Sequence, residues 1–218
     1  MIEALLPSNV TVVEKHELVS DFSLHAEEVS ALGEANSKRR EEFTTARACA
    51  REALERIGFP NIAVPAGPKG EPIWPHGVTG SITHCEGFYA CALARSSAPL
   101  AIGIDTEINQ PLPAGVLHDV ADNREAGRMN SLSQMLPSVS WDRVLFSAKE
   151  SVYKAWFPLA NAWLGFEDAA VTIDPTENTF RARLLVQGPS IDGTPVRGFK
   201  GRWSANEHFI ATAVSEWT

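Results

Sequence analysis

The chain has 218 residues, 44% of them hydrophobic, and a formal net charge of −8. A chain of this size can bury a hydrophobic core as one large domain or two small ones, while its acidic balance argues against general nucleic-acid binding without excluding a local basic pocket. No apolar run is long enough to cross a bilayer and the first residues lack the features of a secretory signal, so we expect a cytoplasmic protein that does not insert into a membrane.

Residues 38–56 carry the pattern of an amphipathic helix with a basic surface. Its apolar residues recur at helical spacing, Ser37 could cap its start, and Gly58 followed by Pro60 would end it. Six basic residues outnumber four acidic ones here, the reverse of the balance in the whole chain. Three arginines are expected to share one face: Arg40, Arg47 and Arg51. Two interpretations stay open, a solvated arginine face and a face that binds phosphate groups.

Residues 60–80 are rich in proline and glycine and are predicted to form an ordered surface loop. Its glycines would let backbone N–H groups approach a ligand closely, and Lys69 adds a positive charge. The glycines lie at positions 67, 70, 77 and 80, so Gly67 and Gly70 flank this lysine. A simple connection between two elements is the other interpretation of such a loop.

Residues 81–92 predict a β-hairpin. Two short strand-like runs flank a turn at Glu86-Gly87, which is a composition typical of hairpin turns. His84 ends the first run beside this turn. It is either a core histidine or a histidine that binds a ligand.

Residues 100–104 form an apolar run, from Leu100 to Ile104, that predicts a buried strand ending in two carboxylates. The alternation of side chains along a strand places Asp105 and Glu107 on the same face. Two carboxylates that close repel each other unless a proton or a cation lies between them. Mg²⁺ fits such a pair, because it binds through one or two carboxylates and takes its other oxygens from water and substrate phosphates. Two solvated acids at a strand end remain the alternative.

Residues 145–156 predict a helix with a buried apolar face and a separate charged face. Glu150 and Lys154 are four residues apart and therefore lie one helical turn from each other. They form either an ordinary surface ion pair or part of a ligand site.

The second half of the chain repeats the order of the first, a helix followed by a hairpin. A shift of 121 residues aligns 80–94 with 201–215 at five identities, and a shift of 103 aligns the two helices. We therefore predict an α+β fold of two duplicated αβ units, related by a pseudo-two-fold axis, each a helix packed on a small antiparallel sheet. Subdomains at 1–100 and 101–218 would enclose a cleft, with one helix on each wall.

Three motifs occur in a fixed order: GVTGSITH at 77–84, IGIDTE at 102–107 and FSAKESVYK at 146–154. Their order and spacing resemble the three signature motifs of the 4′-phosphopantetheinyl transferase superfamily. Further segments at 38–40, 69–75 and 155–168 are similar to the actinobacterial, enterobactin-synthetase-associated branch. The resemblance covers roughly residues 36–170 and the hairpin at 201–204. Three ordered motifs together are specific, whereas each alone is weak.

The resemblance implies an enzyme that transfers the 4′-phosphopantetheine group of coenzyme A to a serine of apo acyl or peptidyl carrier proteins. These carriers serve fatty-acid, polyketide or nonribosomal peptide synthesis, including that of siderophores, and the reaction releases adenosine 3′,5′-bisphosphate. The resemblance also implies Mg²⁺ as cofactor and no nucleic-acid or membrane partner. A chain that carries both αβ units is expected to be a monomer.

By the same resemblance, Asp105, Glu107 and Glu150 would bind Mg²⁺, residues 1–100 would bind the nucleotide, and 101–218 would hold the metal. Glu150 would be the base that accepts the serine proton, directly or through water, and His84 and Lys154 would act on the phosphates. Residues implied in binding coenzyme A are Arg39, Arg47, Gly67, Lys69, Thr83, His84, Asp105, Glu150, Lys154 and Trp163.

Ala66 departs from the family pattern, since close relatives can carry a basic residue there. Arg40 or Arg51 could replace that contact, and Lys149 is expected to contact either a phosphate or the carrier. Two other functions use the same residues: a Mg²⁺-dependent hydrolase of coenzyme A or a related pyrophosphate, and an inactive module that only binds carriers.

Overall fold

The computed structural model describes residues 1–95 and 101–218 as an α+β fold. The first part contains β1 (Thr11–Lys15), α1 (Ala26–Ser30), α2 (Ser37–Arg56), β2 (Val78–Cys85) and β3 (Phe88–Arg95). The second begins with β4 (Gly103–Ile108), α3 (Val116–Val120), α4 (Asn123–Met135) and α5 (Trp141–Ala160). It continues with β5 (Ala169–Asp174), β6 (Thr179–Leu184), β7 (Ser190–Ile191), β8 (Thr194–Pro195), β9 (Gly198–Ala205) and β10 (Phe209–Trp217). Short 3₁₀ helices occur at Glu3–Leu5 and Phe166–Asp168.

The strands form two main antiparallel sheets, each covered by one long helix. The first sheet has the order β1-β3-β2 and packs against α2, and the second has the order β4-β10-β9-β6-β5 and packs against α5. Strands β7 and β8 pair only with each other. Among the described residues, no helix is both long and apolar enough to cross a membrane.

The predicted helices and the first hairpin are confirmed. Two details differ from the prediction: the residue that caps α2 and the limits of strand β4. The side chain of Asn36, not Ser37, caps α2 by accepting a hydrogen bond from the Arg39 backbone N–H at 2.8 Å. The strand predicted from residue 100, with Asp105 and Glu107 at its end, does carry both carboxylates but begins at Gly103 and continues to Ile108, because β10 pairs with it along that length. Leu100, included in the predicted strand, lies outside the described residues.

The duplication predicted from the sequence is visible in strand order and register. Strand β3 lies between β1 and β2, and β10 lies in the same way between β4 and β9. Gly80 is opposite Leu93 in the first hairpin, and Gly201 is opposite Val214 in the second, so the 121-residue shift maps one register onto the other. The second unit differs by strands β5 to β8, which are inserted between α5 and β9.

The two halves meet along β2 and β4 through side-chain hydroxyls. The backbone N–H of Ile104 donates to Ser81 Oγ at 3.1 Å, and that of Thr106 donates to Thr83 Oγ1 at 3.0 Å. These groups lie on the edge of β4 that does not pair with β10, where an unpaired buried N–H would be costly. Ser81 and Thr83 therefore close the junction in place of a backbone ladder.

Helix α5 lies unusually close to β4 at Gly103. A Cβ at this position would overlap the Ser151 carbonyl oxygen and approach the Ala155 backbone nitrogen to 2.7 Å. Both obstacles are helix backbone atoms, which cannot rotate away. Glycine is therefore needed here to let α5 pack onto the strand that carries Asp105.

We expect Gly103→Ala to destabilise the protein by roughly 1–3 kcal/mol, because the added methyl group must push α5 away from β4. Urea unfolding followed by circular dichroism measures this change. Gly127→Ala in α4 is the matched control, since a Cβ there meets nothing within 4 Å. The control should be neutral or stabilising by up to about 1 kcal/mol, as expected for glycine replaced inside a helix. Equal stability of Gly103→Ala and wild type would contradict the close packing.

Candidate functional site

A cleft of about 460 Å³ lies between α2 and α5, as predicted for the junction of the halves. Its main lining side chains are Arg39, Phe43, Arg47, Lys69, Trp74, Ser81, His84, Glu150, Tyr153 and Lys154. The wall from α2 is basic and the wall from α5 carries both signs of charge. An anionic ligand with a bound cation would complement both walls.

Asp105 and Lys154 form an ion pair that joins β4 to α5. Lys154 Nζ donates to Asp105 Oδ1 at 2.8 Å and to the Ile104 carbonyl at 3.1 Å. Thr83 Oγ1 also donates to Asp105 Oδ1, at 3.2 Å. The second carboxylate oxygen, Asp105 Oδ2, is buried and has no hydrogen-bond partner among the described residues. A buried carboxylate oxygen without a partner is costly and indicates a place for a ligand.

Glu107 lies on the same face of β4 as Asp105, as the sequence predicts. Arg143 Nη1 donates to Glu107 Oε2 at 2.9 Å, and the other nitrogens of Arg143 donate to the Gln110 and Pro111 carbonyls. Burial, followed by the charge of Asp105, raises the pKa of Glu107 to about 7, although Arg143 acts in the opposite direction. The carboxylates are therefore close enough to repel each other.

Glu150 enters the cleft from α5 and belongs to the same group of acids. Its pKa is raised by burial and by the charge of Asp105, and Lys154 counteracts part of this effect. In the part of the chain that the structure describes, no side chain donates a hydrogen bond to this carboxylate. Glu150 is thus a half-buried carboxylate that accepts no hydrogen bond from a side chain of the described residues.

The donor set suits a hard cation such as Mg²⁺. Within residues 1–95 and 101–218, no group of three or more His, Cys, Asp or Glu side chains is arranged so that it could hold a metal ion. Mg²⁺ does not need a complete protein cage, since it is typically held by one or two carboxylates together with water and substrate phosphates. Asp105 Oδ2, which has no hydrogen-bond partner among the described residues, and the half-buried carboxylate of Glu150 are oxygen donors of the kind that such an ion takes.

His84 lies in the cleft, so of its two interpretations the ligand-facing one agrees with its position. Arg39 Nη1 donates to His84 Nε2 at 3.2 Å, an arrangement in which the neutral imidazole accepts. Burial, and then the charge of Arg39, lower the pKa of His84. The neutral imidazole is therefore favoured, and with Nε2 accepting from Arg39, its other ring nitrogen carries the hydrogen and can donate to a ligand.

Arg47 provides a buried positive charge on the opposite wall. It is 4% exposed, its guanidinium lies 4.2 Å from the centre of the Phe43 ring, and its Nε atom has no hydrogen-bond partner among the described residues. Burial lowers its pKa to about 10, which still leaves it charged at neutral pH. A buried guanidinium with a free donor is suited to bind a phosphate.

The other residues predicted to contact coenzyme A differ in their position relative to the cleft. Lys69 lines the cleft, whereas Thr83 is buried and holds β4 and Asp105. Gly67 forms a tight turn in which its N–H donates to the Glu71 carbonyl at 2.8 Å. Trp163 is 71% exposed and packs against Tyr153, with ring centres 5.0 Å apart. Trp163 is therefore at the rim of the cleft.

The structure narrows one expectation about basic residues, since Arg40 is the remaining candidate to replace the contact absent at Ala66, and it contradicts the expectation for Lys149. The Arg51 guanidinium donates to the Ser23 carbonyl, lies 3.7 Å from Glu28 and covers the Phe22 ring, so it faces away from the cleft and cannot replace the contact absent at Ala66. Lys149 is buried away from the cleft with its ammonium group fully hydrogen-bonded, so it contacts neither a phosphate nor a carrier.

Sequence reasoning missed Arg143 and Tyr153. Arg143 precedes Glu150 by seven residues, or two helical turns, and this spacing could have placed it on the same face of α5. Its partner Glu107 is remote in sequence and could not have been inferred. Tyr153 is part of the third motif and lines the cleft beside Trp163.

Comparison with known proteins gives consistent results over most of the chain. Residues 27–94 match the 4′-phosphopantetheinyl transferase N-terminal domain, and residues 101–208 match the 4′-phosphopantetheinyl transferase superfamily. The chain is 45% identical over 218 residues to 4′-phosphopantetheinyl transferase Svp of Streptomyces mobaraensis, covering 99% of this chain and 89% of that protein.

Two further relatives extend the likeness. 4′-phosphopantetheinyl transferase Npt of Nocardia iowensis is 42% identical over 223 residues, which cover 99% of both chains. Enterobactin synthase component D of Salmonella typhimurium is 31% identical over 190 residues, covering 86% of this chain and 76% of that protein.

The raised pKa of Glu107 predicts a specific pH dependence of stability. A carboxyl whose pKa is higher in the folded than in the unfolded state favours folding at low pH, and this contribution is lost as the pH rises through about 4.5 to 7. Relative to Glu107→Gln, wild type without added Mg²⁺ should lose roughly 1–3 kcal/mol of unfolding free energy between about pH 5 and pH 8.

Urea unfolding at several pH values measures this difference. Glu55→Gln, at an exposed position of α2, is the control and should follow the wild-type curve. If the difference between wild type and Glu107→Gln does not vary with pH, the raised pKa is wrong.

Proposed function

The chain belongs to the 4′-phosphopantetheinyl transferase superfamily and is an enzyme that transfers the 4′-phosphopantetheine group of coenzyme A to apo carrier proteins, and we propose that it does so in the cleft between α2 and α5. The acceptor is a serine hydroxyl of the carrier, and adenosine 3′,5′-bisphosphate leaves. The observation that carries this assignment is the buried Asp105, which pairs with the cleft residue Lys154 and keeps one carboxylate oxygen without a hydrogen-bond partner among the described residues.

The basic wall would bind the nucleotide end of coenzyme A. Arg39, Arg47 and Lys69 all line the cleft and all come from the part of the chain before residue 100. A buried guanidinium binds phosphate through charge-assisted hydrogen bonds, which are stronger than neutral ones. This division supports a nucleotide-binding subdomain at 1–100 and a catalytic subdomain at 101–218.

Mg²⁺ would be held by Asp105, Glu107 and Glu150 together with phosphate oxygens of coenzyme A. When bound, it supplies a positive charge that stabilises the charge developing on the phosphoryl oxygens. Lys154 would contribute to the same stabilisation, because its ammonium group is already fixed by Asp105 and Ile104. His84, held by Arg39, would contact the phosphates from the opposite wall.

Glu150 is the proposed base. Its raised pKa brings it closer to the working pH, and its carboxylate has free acceptor positions for the serine hydroxyl or an intervening water. As the serine oxygen bonds to the phosphorus of the pantetheine phosphate, the bond from that phosphorus to the bisphosphate oxygen breaks. A general base typically accelerates such a step by about 10² to 10⁴.

The carriers and the oligomeric state are part of the proposal. By likeness to relatives that include an enterobactin synthase component, we propose carriers of siderophore, other nonribosomal peptide, polyketide or fatty-acid synthesis. Both walls of the cleft come from one chain, so a monomer contains the whole site. No finding favours the alternative hydrolase, and release of bisphosphate from coenzyme A without a carrier would indicate it.

Glu150→Gln tests the proposed base. A panel of apo carriers from fatty-acid, polyketide and nonribosomal peptide synthesis is incubated with coenzyme A and Mg²⁺. Wild type should add one phosphopantetheine group to the carriers that it serves, and intact-mass measurement detects the addition. The variant should lose at least about a hundredfold in rate, because Gln accepts no proton and is a weaker metal ligand.

Glu55→Gln controls for the substitution itself and should modify the same carriers at the wild-type rate. Full activity of Glu150→Gln would overturn the role of this residue. Loss of bound coenzyme A in the variant, measured by calorimetry, would show a binding defect instead.

Arg39→Gln and Arg51→Gln separate binding from stability. Arg39→Gln should weaken coenzyme A binding by about tenfold or more, because a charge-assisted hydrogen bond to a phosphate is lost. Arg51→Gln should leave affinity within about threefold but lower the unfolding free energy by roughly 1–3 kcal/mol, because the buried Glu28 loses its cation. Calorimetric titration with coenzyme A measures the affinity, and urea unfolding measures the stability. Weaker binding by Arg51→Gln with unchanged binding by Arg39→Gln would contradict the placement of Arg39 in the binding site and of Arg51 outside it.

A further inference from the structure

Lys149 immediately precedes the proposed base Glu150, yet its ammonium group lies on another side of α5. Its Nζ donates to the Val120 carbonyl, to Glu125 Oε2 and to the Phe166 carbonyl, each at 2.8 Å. These acceptors belong to the end of α3, to α4 and to the 3₁₀ helix that follows α5. A lysine ammonium has three N–H donors, so all of its hydrogen-bonding capacity is used inside the protein.

Glu125 completes this buried group. Its Oε2 accepts from Lys149 and from the Asp122 backbone N–H at 3.0 Å, and its Oε1 accepts from the Val171 backbone N–H at 2.7 Å. Val171 belongs to β5. The Lys149–Glu125 pair thus connects α5 to α3, α4, β5 and the segment after α5.

Two side chains of α5 donate hydrogen bonds to backbone carbonyls of segment 161–168, in addition to the Asn161 N–H that donates to the Phe157 carbonyl and the contact between the Phe146 and Phe166 rings. Trp156 Nε1 donates to the Ala162 carbonyl at 2.8 Å, and Lys149 Nζ donates to the Phe166 carbonyl. Trp163 lies between these attachments and packs against Tyr153, which lines the cleft. The position of Trp163 at the rim therefore depends on how residues 162–166 are held.

We propose that Lys149 is a positioning residue that acts through Phe166 to hold segment 161–168 and so fixes Trp163 against Tyr153 at the rim of the cleft. The inference rests on the proposed function in placing the reaction in this cleft. Lys149 touches neither the phosphates nor the carrier. Its effect on transfer comes from the shape of the rim through which the pantetheine group and the acceptor serine meet.

The variant Lys149→Met alone is a poor test, because it leaves Glu125 buried without its cation and can unfold the protein. The double variant Lys149→Met with Glu125→Gln removes both charges, and the Gln side-chain oxygen can still accept from Val171. Lys200→Met is the matched control, because Lys200 also has an acidic partner, Glu216, at 3.6 Å, but both side chains are exposed.

Hydrogen exchange followed by mass spectrometry is the first readout and needs no substrate. In the double variant, exchange in 161–168 should rise by about tenfold or more, while β4 and β10 keep wild-type protection. A purely structural role would raise exchange throughout the second half. Unchanged exchange in 161–168 would overturn the proposal.

Transfer kinetics are the second readout. The double variant should lose about tenfold or more in kcat, with KM for coenzyme A within about threefold, because small displacements at the reacting groups are costly and the nucleotide wall is untouched. Trp163→Ala should reproduce much of this loss, and combining it with the double variant should add little, as expected for residues acting on one element.

Wild-type kinetics in a folded double variant would overturn the role of Lys149, as would a fully additive loss with Trp163→Ala. If the double variant does not fold, Lys149→Arg is subjected to the same two measurements, because it keeps a positive charge beside Glu125 but changes the donor to the Phe166 carbonyl; the same outcomes support or overturn the proposal. Failure of the proposed location of the reaction is recognised separately: it would appear as full transfer by Glu150→Gln together with unchanged coenzyme A affinity of Arg39→Gln, whereas the exchange result does not depend on activity.

Discussion

The ion pair between Asp105 and Lys154 is the interaction around which the site is arranged. It ties β4 of the second sheet to α5, while Thr83 of the first sheet donates to the same carboxylate oxygen. Three elements that are remote in sequence therefore meet at one atom, Asp105 Oδ1. Because the other oxygen of this carboxylate has no partner among the described residues, the same arrangement that joins the halves also leaves a free ligand position.

Close packing makes that arrangement possible. Gly103 lets the backbone of α5 approach β4, and the hydroxyls of Ser81 and Thr83 satisfy backbone N–H groups along the edge of β4. Burial at this junction has an electrostatic consequence. It raises the pKa of Glu107 and Glu150, since both lie near the charge of Asp105 with limited access to water. Three acidic residues, Asp105, Glu107 and Glu150, are thus brought near one another, while the arginines of α2 line the other wall of the cleft and can bind an anion.

The two lysines of the third motif illustrate how helix geometry separates roles. Lys149 and Lys154 are five residues apart, which rotates them by about 140° around the helix axis. Lys154 therefore reaches Asp105 at the cleft, while Lys149 points into the second half and bonds to Glu125. A cluster of charges in the sequence does not imply a cluster of charges at a site.

Helix and strand periods and the order of the motifs are read directly from the chain, so the α+β class, the duplicated helix–hairpin unit, the shared face of Asp105 and Glu107 and the family could be predicted without a structure. The start of strand β4 was predicted three residues before its position in the structure, because the limits of this strand depend on its pairing with β10. The ion pairs of Arg143 with Glu107, Arg51 with Glu28 and Lys149 with Glu125 could not be predicted in this way. Each of these pairs joins residues at least twenty positions apart, so the choice of partner depends on how the helices and sheets pack and not on spacing along the chain.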